Sequence, residues 1–278
     1  MKQVAIQGIT GCFHEAAARA YFADETIETL PCDSFETLFE RVNGDKSLYG
    51  IVAIENTIAG SLLQNHELLR RGNLHIVGEY KLRISHVLCA LPDETTETLR
   101  EVHSHPIALM QCDEFLKHHP SLKPVETYDT AGSARDIAEN GLHGHAAICG
   151  RSAAEIYGLK ILFDGIETNK HNYTRFLLVS GRGETAVPKP DKASIVFSLP
   201  HSRGSLSKVL TILSFYDINL TKIQSLPIIG REWEYRFYVD LTFDDVSRYR
   251  QGIAAILPLI SDFRELGTYA EFRTDAEY

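Results

Sequence analysis

The 278-residue chain has 44% apolar and 23% charged residues, the make-up of an ordinary globular protein with room for one large or two modest cores. Its formal net charge of -9 argues against a nucleic-acid partner, which asks for a basic patch, but leaves anionic small molecules open because a local cluster can override the global sign. No run approaches the roughly 18 apolar residues that span a bilayer, and the five scattered cysteines (Cys12, Cys32, Cys89, Cys112, Cys149), none in a Cys-x-x-Cys, fit free thiols in a reducing cytoplasm.

The start, Met1 to Gly8, holds a short apolar run before a glycine and is expected to form a first strand, over 3–8, rather than a leader. The spacing then predicts an Ala-rich helix from Gly11 to Phe22, a strand near 27–31, a helix near 34–43 and a strand from Tyr49 to Ile54. A helix is expected over 106–118, opened by Pro106, whose missing N–H suits a first helical turn. A strand near 124–127, a helix at 130–140, a strand at Ala146–Cys149 and a helix at 151–157 follow, and Phe176-Leu177-Leu178-Val179 reads as a buried strand. Such alternation implies a parallel or mixed sheet with helices on its faces. The Gly-, Pro- and charge-rich stretch from Gly181 to Asp191 reads as a linker. Beyond it come a strand at 193–199, a helix at 204–215, strands at 218–227 and 233–243, a helix at 244–257 and a last strand near 264–272. That β-α-β-β-α-β order is the ferredoxin-like arrangement.

Four stretches carry chemistry. Gly8-Ile9-Thr10-Gly11 joins the first strand to the first helix, where free backbone N–H groups can meet a carboxylate or phosphate; equally, it can be a tight turn with Thr10 as N-cap. It lacks the dinucleotide fingerprint. Glu55-Asn56 closes an apolar strand, the end at which open α/β sheets bind ligands, and Asn56 can both donate and accept. Ser104 precedes a Pro-started helix carrying Gln111, without the Gly-x-Ser-x-Gly elbow of a hydrolase. His103-Ser104-His105 lacks a third ligand at matching spacing and is not read as a metal site. Asn172-Tyr173-Thr174-Arg175-Phe176 sets a hydroxyl beside a guanidinium at a strand mouth, able to offer a proton and a positive charge to an anion.

In order and spacing, Gly8-x-x-Gly11, Glu55-Asn56-Thr57-x-x-Gly60, Ser104-His105-Pro106-x-Ala108-Leu109-x-Gln111-Cys112, Thr130-Ala131 and Asn172-x-Thr174-Arg175-Phe176 resemble the prephenate dehydratase catalytic domain. The resemblance implies a two-lobed, type-2 periplasmic-binding-protein-like α/β domain over 1–181, with lobes of about 1–80 plus 175–181 and of 81–174, and Thr174 at the hinge. It implies decarboxylating dehydration of prephenate to phenylpyruvate, a hydro-lyase reaction of phenylalanine biosynthesis. The roles it implies are Thr174 as proton donor to the leaving hydroxyl, Arg175 as either a carboxylate clamp or an orienter of Thr174, and Glu55 as a supporting carboxylate. Thr10, Asn56, Ser104, Gln111 and Phe176 are the implied substrate contacts, and no metal or organic cofactor is required. Cys12 and His14 depart from the Thr or Ser and the Ser common in that first loop.

After a linker at 182–192, residues 193–278 resemble an ACT domain, with Gly204-Ser205-Leu206-Ser207-Lys208-Val209-Leu210 and Asp217-Ile218-Asn219-Leu220-Thr221 in the expected places. This implies an amino-acid effector, phenylalanine, held by Gly204, Ser205, Leu206, Asn219 and Leu220, and a homodimer or dimer of dimers formed through that domain. Gln224-Ser225-Leu226-Pro227 stands where the family has Glu-Ser-Arg-Pro, two charges fewer. A purely structural, dimerising domain is the other reading. Arogenate dehydration is the alternative activity, and a non-catalytic small-molecule sensor on the same fold is the alternative class. Neither a nucleic-acid nor a membrane partner is expected.

Overall fold

In the computed structural model, residues 1–182 and 189–273 are described; residues 183–188 of the expected linker and 274–278 at the end lie outside the described residues. The chain divides into two compact units: Met1–Arg41, Gly50–Leu62 and Tyr80–Phe176 form the first, and Val42–Tyr49, Leu63–Glu79 and Leu177–Tyr278 the second.

The elements run β1 (Lys2–Gln7), α1 (Phe13–Tyr21), β2 (Ile27–Cys32), α2 (Phe35–Gly44), β3 (Tyr49–Asn56), β4 (Gly60–Ser61), α3 (Leu63–Arg71), β5 (His75–Arg83), β6 (Val87–Ala90) and β7 (Glu101–Ser104). Then come α4 (Pro106–Gln111), α5 (Asp113–His118), β8 (Lys123–Glu126), α6 (Thr130–Asn140), β9 (His145–Cys149), α7 (Arg151–Ile156), β10 (Lys160–Asp164) and β11 (Tyr173–Ser180). The last third holds β12 (Lys192–Ser198), α8 (Ser205–Phe215), β13 (Asn219–Pro227), β14 (Tyr235–Thr242), α9 (Val246–Ile256) and β15 (Ser261–Tyr269).

A first sheet has the order β2-β1-β3-β11-β5, with the short β4 on β3; a second has the order β10-β6-β9-β7-β8. The chain leaves the first sheet after β5 through residues 84–86 and returns through 165–172 into β11. This double crossing gives the two-lobed arrangement of type-2 periplasmic binding proteins. In the second sheet β7 is parallel to both β8 and β9, while β6 is antiparallel to β9 and β10. The apolar runs explain the placement: Leu88, Ala90, Val102, Ala146 and Ile148 are fully buried in one core beneath α4.

Local chemistry sets the joints. Asp129 caps α6 by accepting from the Gly132 N–H, and Gly141 closes the helix in the left-handed region at φ 58°. Gly11 (φ 87°) permits the close approach of α7: a Cβ there would lie 2.9 Å from the Cα of Ala153. The single helix expected over 106–118 is two helices, because the returning crossover takes its backbone groups. Thr168 N–H donates to the carbonyl of Gln111 at 2.8 Å, Glu114 N–H donates to Thr168 Oγ1 at 3.2 Å, and Cys112 between them sits at φ -105°, ψ 20°. All five cysteines are free and buried.

The second unit contains the antiparallel sheet β13-β14-β12-β15 with α8 and α9, the expected β-α-β-β-α-β order. Its core is built on Phe197, Val209, Leu213, Tyr249 and Ile256. The unit also takes in α3 and the first half of β5. Glu79 meets buried Lys192 at 2.9 Å, and Glu67 accepts from the Tyr238 hydroxyl at 2.8 Å. Hydrogen bonding to Arg70 holds the Glu67 carboxyl below the usual carboxylate range. No described helix is long and apolar enough to cross a membrane.

Candidate functional site

A cavity of about 390 Å³ opens in the first unit, walled by residues of both its sheets. Alternation along the strands decides which side chains reach it. Asn56 on β3 and Thr174 and Phe176 on β11 line it, whereas Glu55 and Arg175, on the other faces of the same two strands, do not. Those two pair with each other instead, Arg175 Nη1 to Glu55 Oε1 at 3.2 Å, with the guanidinium buried.

A directed hydrogen-bond chain runs along the pocket wall. The Asn56 amide is oriented by the backbone: its Oδ1 accepts from the N–H groups of Ile58 at 2.9 Å and Ala59 at 2.8 Å. Its Nδ2 therefore faces three acceptors, Asn172 Oδ1 at 2.8 Å, Thr174 Oγ1 at 3.0 Å and the Tyr173 carbonyl at 3.1 Å. Gln111 Nε2 approaches Asn56 Oδ1 at 3.4 Å, and Gln111 Oε1 pairs with His86 Nε2 at 2.9 Å. That pairing requires His86 Nε2 to carry the proton. Every amide in the chain thus points its donor towards Thr174. Because Thr174 Oγ1 receives a hydrogen bond from Asn56, its own proton remains to be given to something in the cavity.

Burial favours the neutral forms of His14, His86 and Cys12. His86, set edge-on to Phe13 at 5.5 Å, has its pKa lowered by desolvation, and its Nδ1 is buried with no hydrogen-bond partner. The Cys12 thiol is pushed up to about 12 by burial, so it is no thiolate nucleophile. Asp129, whose pKa burial raises, is the acidic side chain on the cavity wall, and among the described lining residues there is no Lys or Arg. Three helix starts border the cavity, with Phe13 and His14 opening α1, Ile107 and Ala108 in the first turn of α4, and Thr130 opening α6; the N–H groups of Ile107 and Gly132 are given to His105 Nδ1 and Asp129 Oδ1.

His14 packs edge-on against Phe176 at 5.1 Å and Phe35 at 5.5 Å, and its Nε2 accepts from the Ala53 N–H at 3.3 Å. Desolvation lowers its pKa from 6.5 to about 4. Between those values the unfolded chain binds the proton and the folded chain does not, so stability is complete above the unfolded pKa and falls as pH drops through the window. Urea unfolding near pH 5 is expected to lie up to about 2 kcal/mol below that near pH 7 on account of His14, and His14→Gln, which keeps an acceptor for Ala53, is expected to remove that part of the slope.

Of the residues expected from the sequence, Asn56, Gln111, Thr174 and Phe176 meet at the cavity. Thr10 is exposed away from it, its carbonyl accepting from the Tyr157 hydroxyl at 2.9 Å, and the N-cap of α1 is Cys12 rather than Thr10. Ser104 is fully buried and donates to the Ile148 carbonyl at 2.6 Å, so its hydroxyl is engaged within the second sheet. His14, His86 and Asp129 were not expected; His86 lies in the crossover after β5, where no periodicity marks it. In the second unit, Gly204 caps α8 at φ 76°, and Ser205 and Leu206 line a cavity of about 140 Å³ with Trp233 and Tyr235. Asn219 and Leu220 open β13 and do not line that cavity.

Known proteins give this architecture a context. The family model described as prephenate dehydratase matches residues 4–184. Arogenate dehydratase 5, chloroplastic, of Arabidopsis thaliana is 37% identical over 96% of this chain and 67% of its own. Among solved structures, prephenate dehydratase from Arthrobacter aurescens in complex with L-Phe superposes with a TM-score of 0.86 at 29% identity, covering 97% of this chain and 90% of that one. GqqA, described as a novel type of quorum quenching acylase, gives 0.87 at 29% identity over 97% and 98%. Matched across most of its length in sequence and across both units in fold, the chain belongs to the prephenate dehydratase family and is a dehydratase of phenylalanine biosynthesis.

Proposed function

We propose that the chain converts prephenate to phenylpyruvate. The observation that carries this reading is the Thr174 hydroxyl on the cavity wall, accepting from Asn56 at the end of the His86–Gln111–Asn56 hydrogen-bond chain and so left with a proton to donate. In the reaction the ring C–O bond and the C–CO₂⁻ bond break, the electron pair of the broken C–C bond completes the aromatic ring while the C–O pair leaves with the hydroxyl oxygen, and carbon dioxide and water depart. Thr174 supplies the proton that turns the departing hydroxyl into water and regains one from solvent. A threonine hydroxyl is a weak acid, so its contribution comes from position and from the Asn56 donor that stabilises negative charge on Oγ1 as the proton departs. The start of α1 at Phe13 and His14, which no side chain caps, is assigned to a substrate carboxylate. Arg175, paired with Glu55 behind the strand, acts as a positioning residue for Thr174. The catalytic domain is assigned to 1–181, its lobes meeting near residues 80 and 175, followed by a linker and an ACT domain from 193.

Arogenate is the second reading, and Asp129 favours it. Arogenate carries an ammonium where prephenate has a keto group, and a carboxylate in a cavity whose described lining has no Lys or Arg suits that cation. The cavity at Ser205, Leu206, Trp233 and Tyr235 is assigned to an L-phenylalanine effector, as the Arthrobacter relative is in complex with L-Phe. The open edge of β13 is assigned to side-by-side pairing of two copies. The test is direct: phenylpyruvate formation from prephenate and phenylalanine formation from arogenate, the former with and without added L-phenylalanine. Turnover of prephenate that declines on adding L-phenylalanine is expected, and no turnover of either substrate sinks the reading. Asp129→Asn, which keeps an acceptor for Gly132, is expected to shift the arogenate-to-prephenate ratio of kcat/KM towards prephenate by about tenfold or more if arogenate is used.

A further inference from the structure

The second sheet holds a group of side chains that the dehydratase chemistry does not use. Glu101 and His103 lie two residues apart on one face of β7, and His145 opens the neighbouring parallel strand β9 in register with Glu101. The opposite face of β7 carries the buried Val102 and Ser104. Three atoms able to ligate converge: His103 Nε2 and His145 Nδ1 share a hydrogen bond of 2.9 Å, whose proton a bound metal ion would displace, His103 Nε2 lies 3.3 Å from Glu101 Oε2, and His145 Nδ1 lies 3.7 Å from Glu101 Oε2. A tetrahedral zinc ion with bonds of about 2.0–2.1 Å needs ligand atoms about 3.3–3.4 Å apart, and the three separations bracket that value. All three side chains are half-buried, which limits their rotamers yet leaves a fourth position open to water.

The geometry points to a divalent transition-metal site, zinc first, held by Glu101 Oε2, His103 Nε2 and His145 Nδ1. Two imidazoles and one carboxylate with an open position is a donor set that suits zinc and its neighbours and excludes magnesium and calcium, which ask for oxygen. Lys123 Nζ, 3.6 Å from the other carboxylate oxygen of Glu101, competes with the ion for that carboxylate. The site ties β7 to β9 two residues before His105, which caps α4 on the cavity wall.

Chelator-stripped full-length protein, titrated with zinc by calorimetry and with cobalt by visible absorption, tests the assignment. One ion per chain is expected, with the intense visible bands of four-coordinate cobalt. His103→Ala and His145→Ala are each expected to weaken binding by more than the roughly 10–100-fold that loss of an outer-shell partner costs. Lys123→Gln, at an exposed position, is expected to bind several-fold more tightly, an outcome that a general loss of structure cannot produce. His143→Ala, in the separate Asp93-Glu94-His143 group, is expected to leave zinc binding unchanged. No zinc uptake, or uptake undiminished in both His103→Ala and His145→Ala, overturns the assignment.

Discussion

Replacing Thr174 by valine is expected to lower kcat by about 10²–10⁴-fold, the range that one well-placed proton donor supplies. The side chain keeps its branched shape and the pocket its volume, so only the hydroxyl is lost. The amide of Asn56 retains two other acceptors, Asn172 Oδ1 and the Tyr173 carbonyl, so no donor is stranded by the change. Because the proton is needed where the C–O bond breaks, kcat and kcat/KM are expected to fall together. Thr174→Ser restores a hydroxyl beside Asn56 and is expected to recover most of the loss. Steady-state kinetics on the substrate that is turned over, with circular dichroism to verify the fold, decides the matter. A valine variant within tenfold of the parent kcat means that another group protonates the leaving hydroxyl.

The contrast between Thr174 and Arg175 marks what was legible beforehand. Adjacent in sequence, they read as one functional pair, yet a strand turns successive side chains to opposite faces, and β11 sends Thr174 to the cavity and Arg175 to Glu55. The same alternation carries Asn56 to the cavity and Glu55 away from it. A linear motif names the residues but not the face each takes, which depends on which side of the sheet the second lobe covers. Helix α6 was legible to the residue because Asp129 and Gly141 cap it locally. The break at Cys112 was not, because Thr168, far along the chain, causes it. His86 was invisible for the same reason: its partner Gln111 is 25 residues away and joins it only through the crossover. The pairing of His103 with His145, 42 residues apart, is likewise a product of strand order rather than of the His-x-His spacing.

The hydrogen-bond chain makes a sharper demand at Asn56. In Asn56→Asp the oxygen that accepts from Ile58 and Ala59 is preserved, so the turn after β3 keeps its cap. The donor is replaced by a second carboxylate oxygen, which then faces the Asn172 Oδ1, Tyr173 carbonyl and Thr174 Oγ1 acceptors at 2.8–3.1 Å. Of these three the Tyr173 carbonyl cannot answer; Asn172 can, by turning its otherwise unpartnered Nδ2 inward, and Thr174 can, by turning its proton towards the carboxylate and away from the cavity. Activity is therefore expected to fall about as far as in Thr174→Val, some 10²–10⁴-fold. The double variant is expected to be little worse than either single one, because both changes remove the same proton. Stability is expected to drop as well, by about 1–3 kcal/mol for the partly buried acceptors left facing one another, measurable as a lower midpoint in urea. Losses that multiply in the double variant place Asn56 outside the path that directs the Thr174 proton, and an active Asn56→Asp enzyme removes the chain from the mechanism altogether.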